Sequence, residues 1–161
     1  MKKNLKKQET KVVLFDLDNT LISHKDRFKY LAGVTKNGEK EFNAYHDKTL
    51  DSKPLPAVNL YKKEMDAGKQ VYIVTGKGES YGKMVDLWFK RNNLPVPHKK
   101  FMRNEKDYRK AMVFKNDIIT NKIGKENIDY LIDDDKNIIR RLGRSIVVKD
   151  ANIFNKRHVY K

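Results

Sequence analysis

The sequence predicts an α/β fold, in which one domain of 161 residues is built on a doubly wound, mainly parallel sheet. Two observations predict it: short apolar runs alternate with helical patterns, and glycines stand where those patterns end. In such folds the strand connections are right-handed, and ligands bind beyond the carboxyl ends of the strands. The residues that follow the apolar runs are therefore the first candidates for a functional site.

Four apolar runs have the length and composition of buried strands, and a weaker run is typical of a fifth. The four runs are residues 12–15, 71–74, 130–132 and 146–148, and the weaker run is residues 101–102. We expect these runs to form the sheet.

Helical patterns separate the strands. The clearest covers residues 79–92, where apolar side chains recur at helical spacing and form one stripe that faces the sheet; they are Tyr81, Met84, Val85, Trp88 and Phe89. Further helices are expected at residues 57–67, 111–123 and 136–142. Each is followed by a glycine of the kind that ends helices; these are Gly68, Gly124 and Gly143.

Residues 23–56 do not follow this alternation. They contain two glycines, many charges and an extended stretch with prolines at positions 54 and 56. We interpret them as a small irregular cap insert over the site. Residues 1–10 are interpreted as a basic N-terminal tail.

The composition excludes several kinds of chemistry. The chain has no cysteine, so disulfides, thiolate zinc sites and thiol nucleophiles are excluded, and a reducing cytoplasm is the expected compartment. No apolar run is long enough to cross a bilayer, so no membrane association is expected. The four histidines lack the spacing of metal ligands, and only His46, in the insert, is expected near the site.

The formal net charge of +15 indicates a partner that carries phosphate. The basic residues cluster near the N-terminus, between residues 99 and 110, and from residue 149 to the C-terminus. For the two termini, a solvated tail that keeps the protein soluble is an equally good interpretation.

Three apolar runs end at residues suited to phosphoryl chemistry. Asp16 and Asp18 follow the first, Thr75 follows the second, and Asp133 with Asp134 follows the run at residues 130–132. Close carboxylates repel one another, and a divalent cation relieves that repulsion; clustered oxygen ligands suit magnesium. The strand ends therefore predict a metal-assisted phosphoryl-transfer site.

Each acidic pair also has a simpler explanation. Asp-x-Asp occurs in calcium loops, and three consecutive aspartates occur at helix N-termini. A calcium loop of the EF-hand type fails here, because Arg27 stands where the closing glutamate is required. The coincidence of three strand ends favours catalysis.

The run Asp16-Leu17-Asp18-Asn19-Thr20 resembles the first motif of the haloacid dehalogenase (HAD) superfamily of aspartate-nucleophile phosphatases, which have a Rossmann-like core. Residues 71–76 resemble its second motif, Lys115 its third and residues 131–134 its fourth. The resemblance covers nearly the whole chain, from about residue 12 to residue 148.

The resemblance implies a mechanism. Asp16 would attack phosphorus to form an aspartyl-phosphate, while Asp18 would protonate the leaving oxygen and later activate water. Thr75 would bind the phosphoryl oxygens and Lys115 would balance the charge. The implied magnesium ligands are Asp16, the carbonyl of Asp18, Asp133 and Asp134.

Within the superfamily, residues 101–115 are similar to the 3′-phosphatase domain of phage polynucleotide kinase-phosphatases. The resemblance implies further substrate-site residues, namely Thr20, which would brace the loop, and Gly76, Lys77, Arg103 and Arg109. Lys77 stands where that subgroup usually has arginine, and lysine lacks the planar fork that arginine offers a phosphate. Tyr45 is a candidate for stacking on a base.

Three functions remain open at this point. The leading hypothesis is a phosphatase that acts on 3′-phosphates of DNA or RNA ends, without an obligate protein partner. The alternatives are a nucleotide 5′-phosphatase or other small-molecule phosphatase, and a non-catalytic basic protein that binds nucleic acid. Kinase activity is excluded, because residues 76–84 have the wrong glycine spacing for a phosphate-binding P-loop.

Overall fold

A five-stranded, wholly parallel sheet forms the centre of the computed structural model, which describes residues 11–27, 29–32 and 45–158. The strands are β1 (Val12–Phe15), β2 (Val71–Gly78), β3 (Lys99–Arg103), β4 (Ile128–Asp133) and β5 (Val148–Asp150). Their order across the sheet is β3-β2-β1-β4-β5. The chain thus winds outward from β1 in both directions, which confirms the predicted doubly wound α/β fold.

The strand register aligns the ends from which the site is built. Phe15, the last residue of β1, pairs with Ile73 of β2 on one side and with Ile132 of β4 on the other. Because neighbouring parallel strands run in the same direction, the residues after these three positions emerge at one edge of the sheet. The crevice between β1 and β4, where the winding direction reverses, is the topological switch point of the fold.

Six α-helices have bounds among the described residues, and residues 45–47 are helical as well. They are α1 (Lys29–Ala32), α2 (Ala57–Asp66), α3 (Gly82–Arg91), α4 (Ala111–Asp117), α5 (Lys136–Leu142) and α6 (Ala151–His158). Helix α4 continues as a π-helical segment, Ile118–Ile123. Gly68 and Gly124 have φ angles of 76° and 89°, the left-handed conformation for which glycine is suited at a helix end.

Two apolar clusters cover the two faces of the sheet. One contains the stripe of α3, with Val85, Trp88 and Phe89 fully buried against β1 and β2, as the helical spacing predicts. The other contains Phe114 and Ile118 from α4 and its continuation, with Ile138 from α5. Each fully buried side chain of this size contributes about 1.5–3 kcal/mol to folding, so these clusters hold the strand ends in place.

The structure differs from the predicted elements in several places, and β3 and β4 each begin two residues earlier than the predicted runs. Strand β2 extends to Gly78, with an irregular register between Val74 and Gly78. Strand β5 begins at Val148 and not at residue 146. A solvated tail was one of two equally good interpretations of the C-terminal basic residues; α6 instead packs on the domain, where Asn155 accepts a hydrogen bond from the Ala57 amide and donates one to the Thr20 carbonyl.

The described part of the insert is irregular, with α1, helical residues 45–47 and a 3₁₀ turn at Thr49–Asp51. The predicted tail, residues 1–10, and residues 28, 33–44 and 159–161 lie outside the described residues. Within the described ranges, no helix is long and apolar enough to cross a membrane.

Candidate active site

A tight turn after β1 presents the Asp16 carboxylate. The amides of Leu21 and Ile22 both donate to the Leu17 carbonyl, and Asn19 adopts a φ of 60°, a left-handed angle that asparagine tolerates better than most residues. The Thr20 hydroxyl donates to Asp16 Oδ2 at 2.9 Å. Asp16 is therefore buried and fixed in orientation.

Lys115 of α4 connects β1 to β4 across the crevice. Its Nζ lies 2.8 Å from Asp16 Oδ1 and 2.7 Å from Asp133 Oδ2, and all three side chains are buried. Burial lowers the pKa of Lys115, but the two carboxylates outweigh it and raise the pKa above its ordinary value. The ammonium is therefore charged and holds the two strand ends together.

A third carboxylate, that of Asp134, lies beside the two that Lys115 contacts. Oxygen atoms of Asp16, Asp133 and Asp134 all lie within 4.8 Å of one another, and Asn19 Nδ2 donates to Asp134 Oδ2 at 3.0 Å. Burial raises the pKa of Asp16 to about 7 and that of Asp133 to about 6, although Lys115 lowers both. The group is therefore short of positive charge.

The donor set suits a hard divalent cation. It offers only carboxylate oxygens, with neither nitrogen nor sulfur, and this composition favours magnesium over zinc. The Asp18 carboxylate does not belong to the group; the ligand predicted from that residue is its backbone carbonyl.

The Asp18 carboxylate instead lies between two buried cations. Arg27 Nη2 donates to Oδ1 at 2.8 Å, and Lys77 Nζ lies 3.2 Å from Oδ2. Burial raises the pKa of Asp18, but Lys77 and Arg27 outweigh it, so the pKa lies below its ordinary value. Asp18 is thus held as a carboxylate in this state of the site.

Two residues of the insert surround these cations. The Arg27 guanidinium lies 4.3 Å from the centre of the Tyr45 ring, and His46 Nδ1 lies 2.6 Å from Lys77 Nζ. Burial and the Lys77 charge lower the pKa of His46 to about 4, so the ring is neutral. Tyr45 is 5% exposed, and burial beneath Arg27 makes its ring unavailable for stacking on a base.

The end of β2 supplies a further wall. Thr75 is buried, and its hydroxyl oxygen accepts a hydrogen bond from the Lys77 amide at 3.1 Å. The Arg103 side chain packs so closely against Gly76 that a Cβ at position 76 would lie 2.8 Å from Arg103 Nη2. Glycine at position 76 therefore allows Arg103 to lie against the strand.

The two predicted arginines differ in their surroundings. Arg103 lines the site, and its Nε is buried without a hydrogen-bond partner among the described residues. Arg109 forms ion pairs with Asp107 at 2.8 Å and with Asp117 at 3.1 Å. Asp107 lies on the same loop as Arg109 and Asp117 lies on α4, so the Arg109 guanidinium is held between two carboxylates.

These groups line one cavity of about 840 Å³. It is bordered by Asp16, Asp18, His46, Thr75, Gly76, Lys77, Arg103, Lys110, Ala111, Lys115, Asp133, Asp134, Asp135, Lys136 and Ile138. The cavity therefore brings together most of the predicted site residues; Thr20 lies behind Asp16, and Arg109 lies on the neighbouring loop. It combines an acidic floor with several cations, an arrangement that can bind a metal ion and a phosphate together.

Sequence reasoning missed the role of Arg27. In the sequence, Arg27 serves only as evidence against a calcium loop, because the insert has no periodic pattern that predicts where its side chains lie. The one available indication was an arginine near an acidic motif, which is weak evidence in a chain with 36 lysines and arginines.

Comparison with known proteins gives one family match and several structures of similar fold. The family model of the polynucleotide kinase PNKP phosphatase domain matches residues 10–152. No curated protein sequence gives a match.

Solved structures are similar in fold. A chain of the Pnkp1/Rnl/Hen1 complex superposes with a TM-score of 0.69 at 19% identity, covering 89% of this chain and 46% of that one. The haloacid dehalogenase-like protein SP0104 from Streptococcus pneumoniae gives a TM-score of 0.59 at 12% identity, covering 87% and 83% of the two chains.

A third similar structure is the HAD-hydrolase YfnB from Bacillus subtilis bound to magnesium, with a TM-score of 0.54 at 11% identity and coverage of 80% and 81%. The matches thus cover about four-fifths of the two HAD hydrolases but less than half of the Pnkp1 chain.

Proposed function

The chain belongs to the family of the polynucleotide kinase PNKP phosphatase domain, a HAD-type phosphatase, and from this premise we propose that it removes 3′-phosphates from DNA or RNA ends with the help of magnesium. The observation that carries the proposal is the bridge from Lys115 to Asp16 and Asp133. It holds a carboxylate nucleophile beside a metal-binding group at the switch point of the sheet.

Asp16 acts as the nucleophile. One carboxylate oxygen attacks phosphorus, the bond between phosphorus and the 3′-oxygen breaks, and an aspartyl-phosphate forms. The Thr20 hydroxyl and the Lys115 ammonium each hold one oxygen of this carboxylate, so its orientation is fixed before the substrate arrives. Thr75 lines the cavity and can donate its hydroxyl hydrogen to a phosphoryl oxygen.

Asp18 transfers the proton. In its protonated form it gives a proton to the leaving 3′-oxygen, and it then takes a proton from the water that hydrolyses the aspartyl-phosphate. Arg27 and Lys77 keep it ionised in the state described here. The bound phosphate brings negative charge next to this carboxylate, and this charge raises the pKa and favours protonation.

The carboxylates of Asp16, Asp133 and Asp134, with the Asp18 carbonyl, are the residues that would hold magnesium. The ion supplies charge neutralisation for the phosphoryl oxygens. The excess of carboxylates over ammonium groups supports this assignment, as does the magnesium described in the similar YfnB structure.

A nucleic-acid end is supported as the substrate by charge and by the family. The net charge of +15 attracts a polyanion, and Arg103, Lys110 and Lys136 line the cavity that leads to Asp16. The similar Pnkp1 chain belongs to an RNA repair complex. A nucleotide 5′-phosphatase would use the same catalytic groups. The two functions are therefore distinguished by comparing the rates on different substrates.

The test measures phosphate release with magnesium from four substrates: an oligonucleotide with a 3′-phosphate, the same oligonucleotide with a 5′-phosphate, a 3′-mononucleotide and a 5′-mononucleotide. We expect the first to give the highest kcat/KM, and a preference for a 5′-mononucleotide would overturn the proposal. Asp16→Asn is expected to abolish activity on all four, whereas Asp26→Asn, which changes an exposed carboxylate, is the matched control.

A further inference from the structure

A short loop forms part of the rim of the cavity. Residues 104–110, here called the rim loop, connect β3 to α4. Arg103 before the loop and both Lys110 and Ala111 at its end line the cavity. Tyr108, in the middle of this loop, is thus two residues along the chain from the cavity wall at Lys110.

Tyr108 projects from the middle of the rim loop. It is 87% exposed, the highest value among the large hydrophobic side chains that the structure describes. A single exposed aromatic is ordinary on a protein surface and by itself indicates nothing. The support for a role comes from how the loop beneath it is held.

The loop around Tyr108 is fixed by charged hydrogen bonds on both sides of the residue. Asp107 accepts from the Arg109 amide at 3.1 Å and from the Arg109 guanidinium at 3.0 and 2.8 Å. Arg109 Nη1 also donates to Asp117 of α4 at 3.1 Å. These bonds tie the residues before and after Tyr108 to each other and to a helix.

The first half of the rim loop is fixed in the same way. The Asp107 amide donates to the Asn104 carbonyl at 2.9 Å, and Glu105 accepts from the Ser80 amide at 3.0 Å. An exposed aromatic on a pinned loop is pre-organised, so that little conformational entropy is lost when a flat ligand covers it.

We propose that Tyr108 is the stacking surface for the base of the nucleotide whose 3′-phosphate enters the cavity. The proposal rests on the proposed function, because it takes a nucleic-acid end as the ligand. Aromatic rings bind bases of any sequence, since every base offers a flat π-face. Lys106 and Lys110 stand two residues before and two residues after Tyr108 in the chain, and their charges attract the phosphodiester backbone of the same strand.

The other aromatic residues near the cavity do not offer such a surface. Tyr45 is buried beneath Arg27, and Tyr81 contacts the His46 ring at 5.0 Å between ring centres. Of these three tyrosines, Tyr108 alone is largely exposed. Arg109, expected from the sequence to contact phosphate, acts here by positioning the loop that carries the ring.

The test compares two 3′-phosphorylated oligonucleotides that differ only in the terminal base: one carries adenine, and the other carries an abasic tetrahydrofuran residue. The wild type is expected to show about a tenfold higher kcat/KM on the adenine substrate, through a lower KM. Tyr108→Phe retains a ring and is expected to keep this preference. Tyr108→Ala is expected to hydrolyse the two substrates with equal kcat/KM and to unfold at the wild-type temperature.

The outcomes separate this inference from the function on which it rests. If Tyr108→Ala hydrolyses both substrates with the wild-type preference, or the wild type shows no preference, the stacking role is wrong and the phosphatase function stands. If the wild type hydrolyses neither oligonucleotide, the proposed function is wrong, and the stacking role with it.

Discussion

Arg27 Nη2 donates a hydrogen bond of 2.8 Å to Asp18 Oδ1 from a side chain that is 1% exposed. The same guanidinium donates to the carbonyls of Ser23 and Tyr45 and to the Thr49 hydroxyl. One buried arginine therefore connects the insert to the carboxylate that we propose as the proton donor. Arg27 is a positioning residue, because it contacts Asp18 and acts through it.

Replacing Arg27 by lysine is expected to lower kcat by about tenfold to a hundredfold, because an ammonium cannot hold Asp18 and the insert in one fixed arrangement. KM for a small phosphomonoester is expected to change little, since Arg27 does not line the cavity. Steady-state kinetics with magnesium measure both constants. A rise in KM at constant kcat would indicate a substrate contact instead.

Arg91 provides the matched control. It pairs with Asp51 at 3.1 Å, but its side chain is 57% exposed and lies away from the cavity. Arg91→Lys is expected to leave both kinetic constants unchanged, because exposed ion pairs contribute little.

Replacing Lys115 by methionine is expected to remove activity and to destabilise the protein by about 3–5 kcal/mol, because two buried carboxylates lose their shared cation. Urea unfolding in the presence of a chelator measures the change. Magnesium is expected to recover part of the loss, since it supplies positive charge to the same carboxylates. A variant as stable as the wild type under chelation would contradict the bridging role.

Lys69 is the corresponding control outside the site. Its Nζ also lies between two carboxylates, at 2.7 Å from Glu64 and 3.7 Å from Asp129, but its side chain is 35% exposed. Lys69→Met is expected to retain full phosphatase activity.

Magnesium is expected to raise the unfolding temperature of the wild type. A ligand at ten times its dissociation constant stabilises a protein by about 1.4 kcal/mol, which corresponds to about 3–6 °C for a chain of this size. Asp134→Asn removes one carboxylate from the group and is expected to abolish most of the increase. Potassium chloride at equal ionic strength is the control; an equal effect of both salts would exclude a specific site.

The sequence predicted the elements whose patterns are local. Apolar runs and the stripe around Trp88 are visible over a few residues, and parallel topology then brings Asp16 and Asp133 to one edge. The acidic floor of the site follows from these facts alone, without knowledge of the loops.

The features that the sequence did not predict depend on contacts between distant segments. Helix α6 has few apolar residues and is held by the amide of Asn155 between Thr20 and Ala57. Arg27 reaches Asp18 from an irregular insert, and Tyr108 gains its position from the pairing of Arg109 with Asp117. The spacing of apolar residues along the sequence does not predict contacts between such distant segments.

His46 is expected to make stability depend on pH. Burial and Lys77 lower its pKa to about 4 in the folded protein, whereas the unfolded chain has the ordinary value of 6.5. Between these values the unfolded chain binds the extra proton, so the free energy of unfolding falls as the pH falls, by up to about 1.4 kcal/mol per pH unit.

The measurement is urea unfolding of the wild type and His46→Gln at pH 7.5 and pH 5. The wild type is expected to lose more stability than the variant over this interval, because only His46 differs between them. Equal losses would show that His46 is protonated in the folded protein at pH 5.

A side chain at position 76 is expected to lower phosphatase activity. A Cβ at this position would lie 2.8 Å from Arg103 Nη2, and the guanidinium, as the end of a flexible chain, would move aside. Gly76→Ala is therefore expected to fold normally but to lose about tenfold in kcat/KM, because the arginine leaves its place at the cavity wall.

Gly82, the first residue of α3, is the control. A Cβ there would have its nearest neighbour, Met102 Sδ, at 3.7 Å, an ordinary contact, and its φ of −57° suits alanine. Gly82→Ala is expected to keep full activity and to gain about 0.4–1 kcal/mol of stability, because alanine has less freedom than glycine in the unfolded chain. If Gly76→Ala and Gly82→Ala retained equal activity, the position of Arg103 would have no part in catalysis.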